Sequence, residues 1–303
     1  MEESWREGAK RPLMMASLVI VAYLAVEVVG AMISGSLALL ADAAHTGSDV
    51  AALSLALFAT WVAGKPHTAE RSFGYLRAEV LSALVNGAAL LVVAIFIFVE
   101  AAQRIATPPE VRGGIVSAVA SGGLAANLVA AWILLRSSHR SINVKGALYH
   151  VAGDALGSAG AIVGGLLVLL AGWHWADPLV SIFIGLILVY GALKVVGEAT
   201  HVLLEGTPSH INIAQLHDDI EAVDRVHGCH DLHTWTITSG YEALSAHVTV
   251  TDECPAECVR DVRGELGAML KERYGISHVT IQMERTDGDC EQEAHVPSVS
   301  GLR

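Results

Sequence analysis

The chain has 303 residues, a formal net charge of −12 and 53% apolar residues, but only 17% charged ones, against about 25% in ordinary soluble domains. With a mean hydropathy of +0.49, that balance argues against a single soluble globule and for a membrane protein, and no basic patch suits a nucleic acid. The charge is uneven: residues 13–64 hold only Glu27, Asp42 and Asp49 as formal charges, while acidic groups and histidines concentrate in residues 208–290.

In chain order, residues 1–12 are a short polar tail. The first apolar run lacks a small-residue cleavage pattern, so it reads as a retained helix and not a signal peptide. A helix needs about 20 apolar residues to cross a bilayer core. Six runs meet that length: 13–33, 37–63, 78–103, 114–135, 147–171 and 178–196. Asp177 before Pro178 reads as an N-cap and first-turn pair opening the sixth helix. Gly153, Gly157, Gly160 and Gly164 form two overlapping small-residue steps that suit close helix packing. Lys and Arg count nine (Arg6, Lys10, Arg11, Lys65, Arg71, Arg77, Arg136, Arg140, Lys145) on one side against Arg104 and Arg112 on the other. That bias predicts both termini in the cytoplasm and a multi-pass plasma (inner) membrane protein.

After Pro208 the periodicity changes. Residues 211–223 read as an amphipathic helix, 231–238 and 243–250 as strands joined at Ser239-Gly240, 257–274 as a second helix, and 278–284 as a third strand. The αββαβ order predicts a small two-layer α+β domain. The domain plan is therefore tail 1–12, an all-α six-helix membrane domain 13–206, a soluble domain 207–287, and a disordered tail 288–303. All four cysteines follow the last apolar run, and in a cytosolic domain they are expected to be reduced.

Two short stretches carry the chemistry. ADAAHTGSD (41–49) and HVAGD (150–154) each place His and Asp four apart, inside apolar spans. Residues four apart share a helix face, so His45 with Asp49, and His150 with Asp154, make two matched pairs. Two imidazoles and two carboxylates are a four-ligand set for a tetrahedral zinc-type ion. Magnesium and calcium prefer all-oxygen sites with more ligands; cobalt, cadmium and iron stay open. Two aspartates offset a divalent charge, and protons can replace the metal when it leaves, because binding requires deprotonated ligands. Metal and proton then compete for one site, as an antiporter requires. Asp42, one turn before His45, is a candidate for orienting the ligand histidine or relaying protons. Glu27 in the first span, like Glu79, Asn86, Glu100 and Asn127, is open to a proton-relay, interhelical hydrogen-bond or interface role. A metal-dependent hydrolase is the rival reading, but four protein ligands leave no open position for water. A metal sensor without transport is the other.

Five blocks in order, SGSLALLADAAHTGSD, FGYLRAEVLSALVN, LYHVAGDALGS, DLHTWTITSG and HVTIQME, resemble the cation diffusion facilitator transporters, most closely their bacterial cobalt–zinc–cadmium efflux group. The resemblance spans about residues 13–286. It implies a homodimeric zinc/proton antiporter, not an enzyme, that exports divalent metal from the cytoplasm and uses no organic cofactor. It implies a transport site at His45, Asp49, His150 and Asp154. It also implies a ferredoxin-like cytosolic domain holding Zn2+ at His233, His247 and Glu284. The segment between the fourth and fifth spans carries only His139, too little for a metal-collecting loop, and KPHTAERSFG offers only His67. Near where some relatives carry a bridging histidine on the last helix, the chain offers Cys254 and Cys258 as a candidate pair.

Overall fold

The computed structural model describes residues 2–63, 65–66, 68–136, 142–251 and 253–285; within the helices, the side chains of 1–14 and 136–150, among others, lie outside what is described. Two compact units result, residues 1–58 with 82–196 and residues 59–81 with 197–303.

The first unit is helical. Its elements are α1 (Glu2–Ser34), α2 (Leu37–Ala63), α3 (Ala78–Ala106), α4 (Gly113–Arg136), α5 (Ile142–Ala171) and α6 (Ala176–Leu203), the last residues of some belonging to the second unit. Each of the six apolar runs is a helix, and most helices outrun their runs, because a helix need not stop where hydrocarbon stops. Among the described residues, four stretches are long and apolar enough to cross a membrane: Ala78–Ala106, Gly113–Ile133, Gly153–Ala171 and Ala176–Leu203. Large apolar side chains such as Leu18, Met32, Leu156, Leu170 and Tyr190 are exposed. In water such a surface would be a liability, and against lipid it is the expected outer face.

Small residues let the helices approach. Ala31, Leu39, Val116, Ala120, Ala161 and Val168 form one cluster among α1, α2, α4 and α5. Ala38, Ala41, Ala94, Ile97, Ile184 and Leu188 form another among α2, α3 and α6. Helix α2 therefore packs on two sides, Leu39 toward the first cluster and Ala38 and Ala41 toward the second. The expected glycine stripe on α5 is corrected in part. A Cβ at Gly153 or Gly160 would meet nothing within 4 Å, whereas one at Gly164 would lie 3.1 Å from Val180. The four glycines share one helix face, but only Gly164 and Gly157, a Cβ at the latter lying 3.4 Å from Asp42 Oδ1, have a neighbour there. The tightest approach uses Gly165 instead: a Cβ there would sit 2.9 Å from the Ser117 backbone N and 3.0 Å from the Gly113 carbonyl. Gly165→Ala is expected to destabilise α4–α5 packing by about 1–3 kcal/mol, the usual range for overpacking. A thermal melt of the detergent-solubilised protein checks this, with Gly160→Ala as the neutral control.

The second unit carries an α+β domain. Its elements are α7 (Ile213–Glu221), β1 (Val226–Thr238), β2 (Tyr241–Val250), α8 (Ala256–Tyr274) and β3 (His278–Arg285), the αββαβ order expected. Asn212 starts α7 by accepting from Ala214 N and Gln215 N at 3.1 and 3.2 Å, a normal Asn cap. Gly275, at φ +73°, ends α8 in the left-handed conformation that glycine adopts without a Cβ clash. The sheet runs β1-β2-β3. Strands β1 and β2 are antiparallel and β2 and β3 parallel, the latter joined through α8 because parallel neighbours need a crossover. On central β2, Leu244, Ala246, Val248 and Val250 face a core shared with Leu216 and Ile220 of α7 and Val262, Leu266 and Leu270 of α8. The strand period of two then turns Ser245, His247 and Thr249 to the opposite face.

The expectation of four reduced thiols is corrected. Cys254 and Cys258 form a disulfide across the start of α8, their Cα atoms 5.4 Å apart, within the span that a disulfide bridges. Cys229 is free and buried. Burial, with Glu221 alongside, pushes its thiol up to about 12.

Candidate metal centres

The first candidate centre lies between α2 and α5. Helical spacing puts Asp42, His45 and Asp49 along one side of α2. His45 Nε2 lies 3.4 Å from Asp154 Oδ1 on α5. Two ligands each about 2.0–2.1 Å from one tetrahedral ion are themselves about 3.4 Å apart, so this pair has the separation of one edge of a zinc tetrahedron. Asp49 Oδ2 approaches the other ring nitrogen, Nδ1, at 4.0 Å. In this arrangement the imidazole bridges two carboxylates. A single ion shared by all three needs the ring to turn. Asp154 is buried and Asp49 partly exposed. His150 lies on α5 one turn before Asp154, and its side chain is outside the described residues.

Asp42 stands one turn before His45 on α2. It is buried, and its side-chain partner is Glu27 of α1, equally buried. Two buried acidic side chains thus meet beside the His45–Asp154 pair. Glu27 carries no periodic or spacing signal for this meeting, because only the packing of α1 against α2 brings it to Asp42.

The second candidate centre lies on the β-sheet face away from the α7–α8 core. His230, His247 and Glu284 each offer one ligand atom, all within 4.8 Å of one another. His247 Nδ1 is 2.6 Å from Glu284 Oε1, and His230 Nε2 is 3.4 Å from Glu284 Oε2. The shorter contact is a hydrogen bond, so a proton sits where an ion would enter. Glu284 also accepts from Gln282 Nε2 at 2.9 Å, and is itself buried. Two imidazoles and a carboxylate suit a borderline ion such as zinc.

His247 and Glu284, both expected, are in this cluster, and His233 is not. His233 Nε2 sits 3.0 Å from Asp231 Oδ1, and Asp231 Oδ2 is 3.9 Å from His247 Nε2. The reason is a β-bulge. His233 pairs with Ser245 and, after a register shift, His230 pairs with His247. An unbroken register would have set Asp231 opposite His247. Instead Asp231 adopts φ +51°, and the extra residue exchanges faces. Strand parity would place His227, Cys229, Asp231 and His233 on one face, and the bulge breaks that alternation. One bulge in GCHDLH is enough to hide His230 from strand parity.

Two family models match the chain: the cation efflux transmembrane domain over residues 13–204 and the cation efflux protein cytoplasmic domain over 208–286. A cadmium, cobalt and zinc/H(+)-K(+) antiporter of Bacillus subtilis is 38% identical over 287 residues, covering 94% of this chain and 92% of that protein. The zinc transporter ZitB of Escherichia coli is 39% identical over 276 residues, covering 90% and 87%. The metal-bound C-terminal domain of the CzcD transporter of Cupriavidus metallidurans is 38% identical over 24% of this chain and 99% of its own, with a TM-score of 0.23. Matched along nearly its whole length and carrying paired His and Asp side chains between apolar helices, the chain belongs to the cation efflux (cation diffusion facilitator) family and is a membrane transporter that exports divalent metal cations, not an enzyme.

Proposed function

We propose that the protein exports Zn2+, with Cd2+ and Co2+ as further substrates, from the cytoplasm in exchange for protons. The observation that carries this reading is the approach of His45 Nε2 to Asp154 Oδ1 at 3.4 Å, an N,O pair from two helices set for a tetrahedral ion. His45, Asp49, His150 and Asp154 form the transport site, and the Asp42–Glu27 pair holds protons beside it. The names of the relatives, a cadmium, cobalt and zinc/H(+)-K(+) antiporter and a zinc transporter, support the choice of ions and of proton exchange. The Lys and Arg bias supports six spans with both termini in the cytoplasm of a bacterial-type inner membrane. The αββαβ order supports a ferredoxin-like cytosolic domain, and that domain forms the homodimer and binds Zn2+ as a regulatory ligand.

The test is flux. Proteoliposomes or everted vesicles with an acidic interior are expected to accumulate zinc, and a protonophore to stop the accumulation. Lowering the pH on the zinc side is expected to weaken uptake, because the ligands bind metal only when deprotonated. Accumulation that ignores the pH gradient would remove the antiport reading while leaving metal transport intact. Parallel runs with cadmium, cobalt and manganese rank the ions, manganese being expected last because it prefers oxygen ligands.

A further inference from the structure

We propose that Asp177 is a positioning residue for the metal-binding helix: from α6 it completes the N-terminal cap of α2 and so sets where His45 and Asp49 stand. The inference rests on the reading of those two as ligands.

A helix leaves its first N–H groups without partners inside the helix. At the start of α2 these groups are accounted for in order. Leu37 N donates to Asp177 Oδ2 at 2.8 Å, and Ala38 N to Asp177 Oδ1 at 3.4 Å. Leu39 N donates to Ser36 Oγ at 3.2 Å, and Leu40 N to the Ser36 carbonyl at 3.3 Å. Ser36 Oγ in turn donates to Asp177 Oδ1. Ser36 is thus the ordinary cap, while the first two N–H groups depend on a carboxylate 140 residues further along the chain. Asp177 and Ser36 are each only 2% exposed, so water cannot substitute.

The sequence reading had Asp177 capping its own helix, and the structure corrects this. Helix α6 begins at Ala176, with Leu179 N bonding to the Trp175 carbonyl at 3.2 Å. Asp177 is therefore already inside the first turn, and its carboxylate turns to α2. Its other neighbours hold it there. Arg104, near the end of α3, has Nη1 3.8 Å from Asp177 Oδ2 and donates to the Gly35 carbonyl at 2.5 Å, while its Nε bonds Glu100 at 2.9 Å. The start of α2 is thereby tied to α3 and α6 together. A carboxylate whose oxygens are taken by N–H, hydroxyl and guanidinium donors has few lone pairs left for a metal cation, which separates Asp177 from the ligand aspartates.

The consequence for the site follows from helix rigidity. His45 is eight residues after Leu37, about 12 Å along the axis. Sliding α2 by one residue moves a ligand about 1.5 Å and turns it by about 100°, whereas metal–ligand distances tolerate only about 0.2 Å.

The experiment uses the full-length protein. Asp177→Ala is expected to raise the KM for zinc uptake about 10-fold or more, the scale for losing support behind metal ligands, with hydrogen exchange of residues 36–40 accelerated. Asp177→Asn keeps an acceptor oxygen, and Asn caps about as well as Asp, so it is expected to restore the KM to within about 3-fold of the native value. Ser36→Ala, a milder change, is expected to raise the KM in the same direction and carries the test if Asp177→Ala does not fold. An unchanged KM in the alanine variants overturns the proposal. So does an Asn variant as impaired as the Ala variant with exchange at 36–40 unaltered, which would assign Asp177 a role through its charge. If His45→Ala leaves zinc binding intact, the ligand assignment fails, and hydrogen exchange still reports on the cap independently.

Discussion

Asp154→Ala is expected to abolish zinc transport while leaving the protein folded. The side chain supplies the oxygen 3.4 Å from His45 Nε2, and in the proposed transport site it is one of the two carboxylates that would oppose the charge of a divalent ion. Losing it removes a ligand and halves the compensating charge in a buried setting where charge is costly to leave unmatched. Even hydrogen-bond partners behind metal ligands are worth about 10–100-fold in affinity, so removing a ligand should cost on the order of 100-fold or more. His45→Ala is expected to match it, since the imidazole faces both Asp154 and Asp49. Asp154→Asn, which preserves shape without charge, is expected to fail as well. The measurement is pH-driven zinc uptake, with monodisperse elution in detergent as the folding control. Uptake near the native rate in either alanine variant would remove the α2–α5 site from the mechanism.

The second large effect concerns the C-terminal domain. His247→Ala is expected to remove high-affinity zinc binding there, because His247 is the central member: its Nδ1 reaches Glu284 at 2.6 Å and its ring lies 5.2 Å from that of His230. Loss of one ligand from three should weaken binding by about 100-fold, again more than an outer partner costs. His230→Ala is expected to approach that loss, and His233→Ala to cost about 10-fold or less, as expected of a residue behind the ligands. Titrating zinc into full-length protein carrying His45→Ala, so that the membrane site is silent, reads this order. If His233→Ala is the more damaging of the two, the bulge-shifted cluster is not the binding site, and the motif-based set of His233, His247 and Glu284 stands in its place.

These two cases divide what could be read from the chain. The His-x-x-x-Asp spacing in two apolar runs was legible because a helix converts spacing four into a shared face. The apolar runs marked all six helices, four of which are long and apolar enough to cross a membrane among the described residues. The domain order αββαβ followed from a change of period after Pro208, and Ser239-Gly240 marked the hairpin. Within one element of unbroken period, periodicity is enough.

Where a role depended on which element meets which, or on one residue breaking a period, the chain was silent or misleading. Glu27 was open to several interhelical roles with no partner to name, and the packing of α1 on α2 sets it beside Asp42. Asp177 before Pro178 looked like a local cap, and the meeting of α6 with α2 turns it into a distant one. The glycine that α5 presents most closely to α4 is Gly165, outside the expected stripe. His230 was missed because parity assumes an unbroken ladder, and the bulge at Asp231 breaks it. The sequence by itself determined the membrane class, the helices and the His-x-x-x-Asp spacing of the candidate ligands, since hydropathy and spacing act along one element. Only the tertiary structure decided which acids pair, which helix caps which, and which histidine faces Glu284, because those contacts join residues that no local period connects.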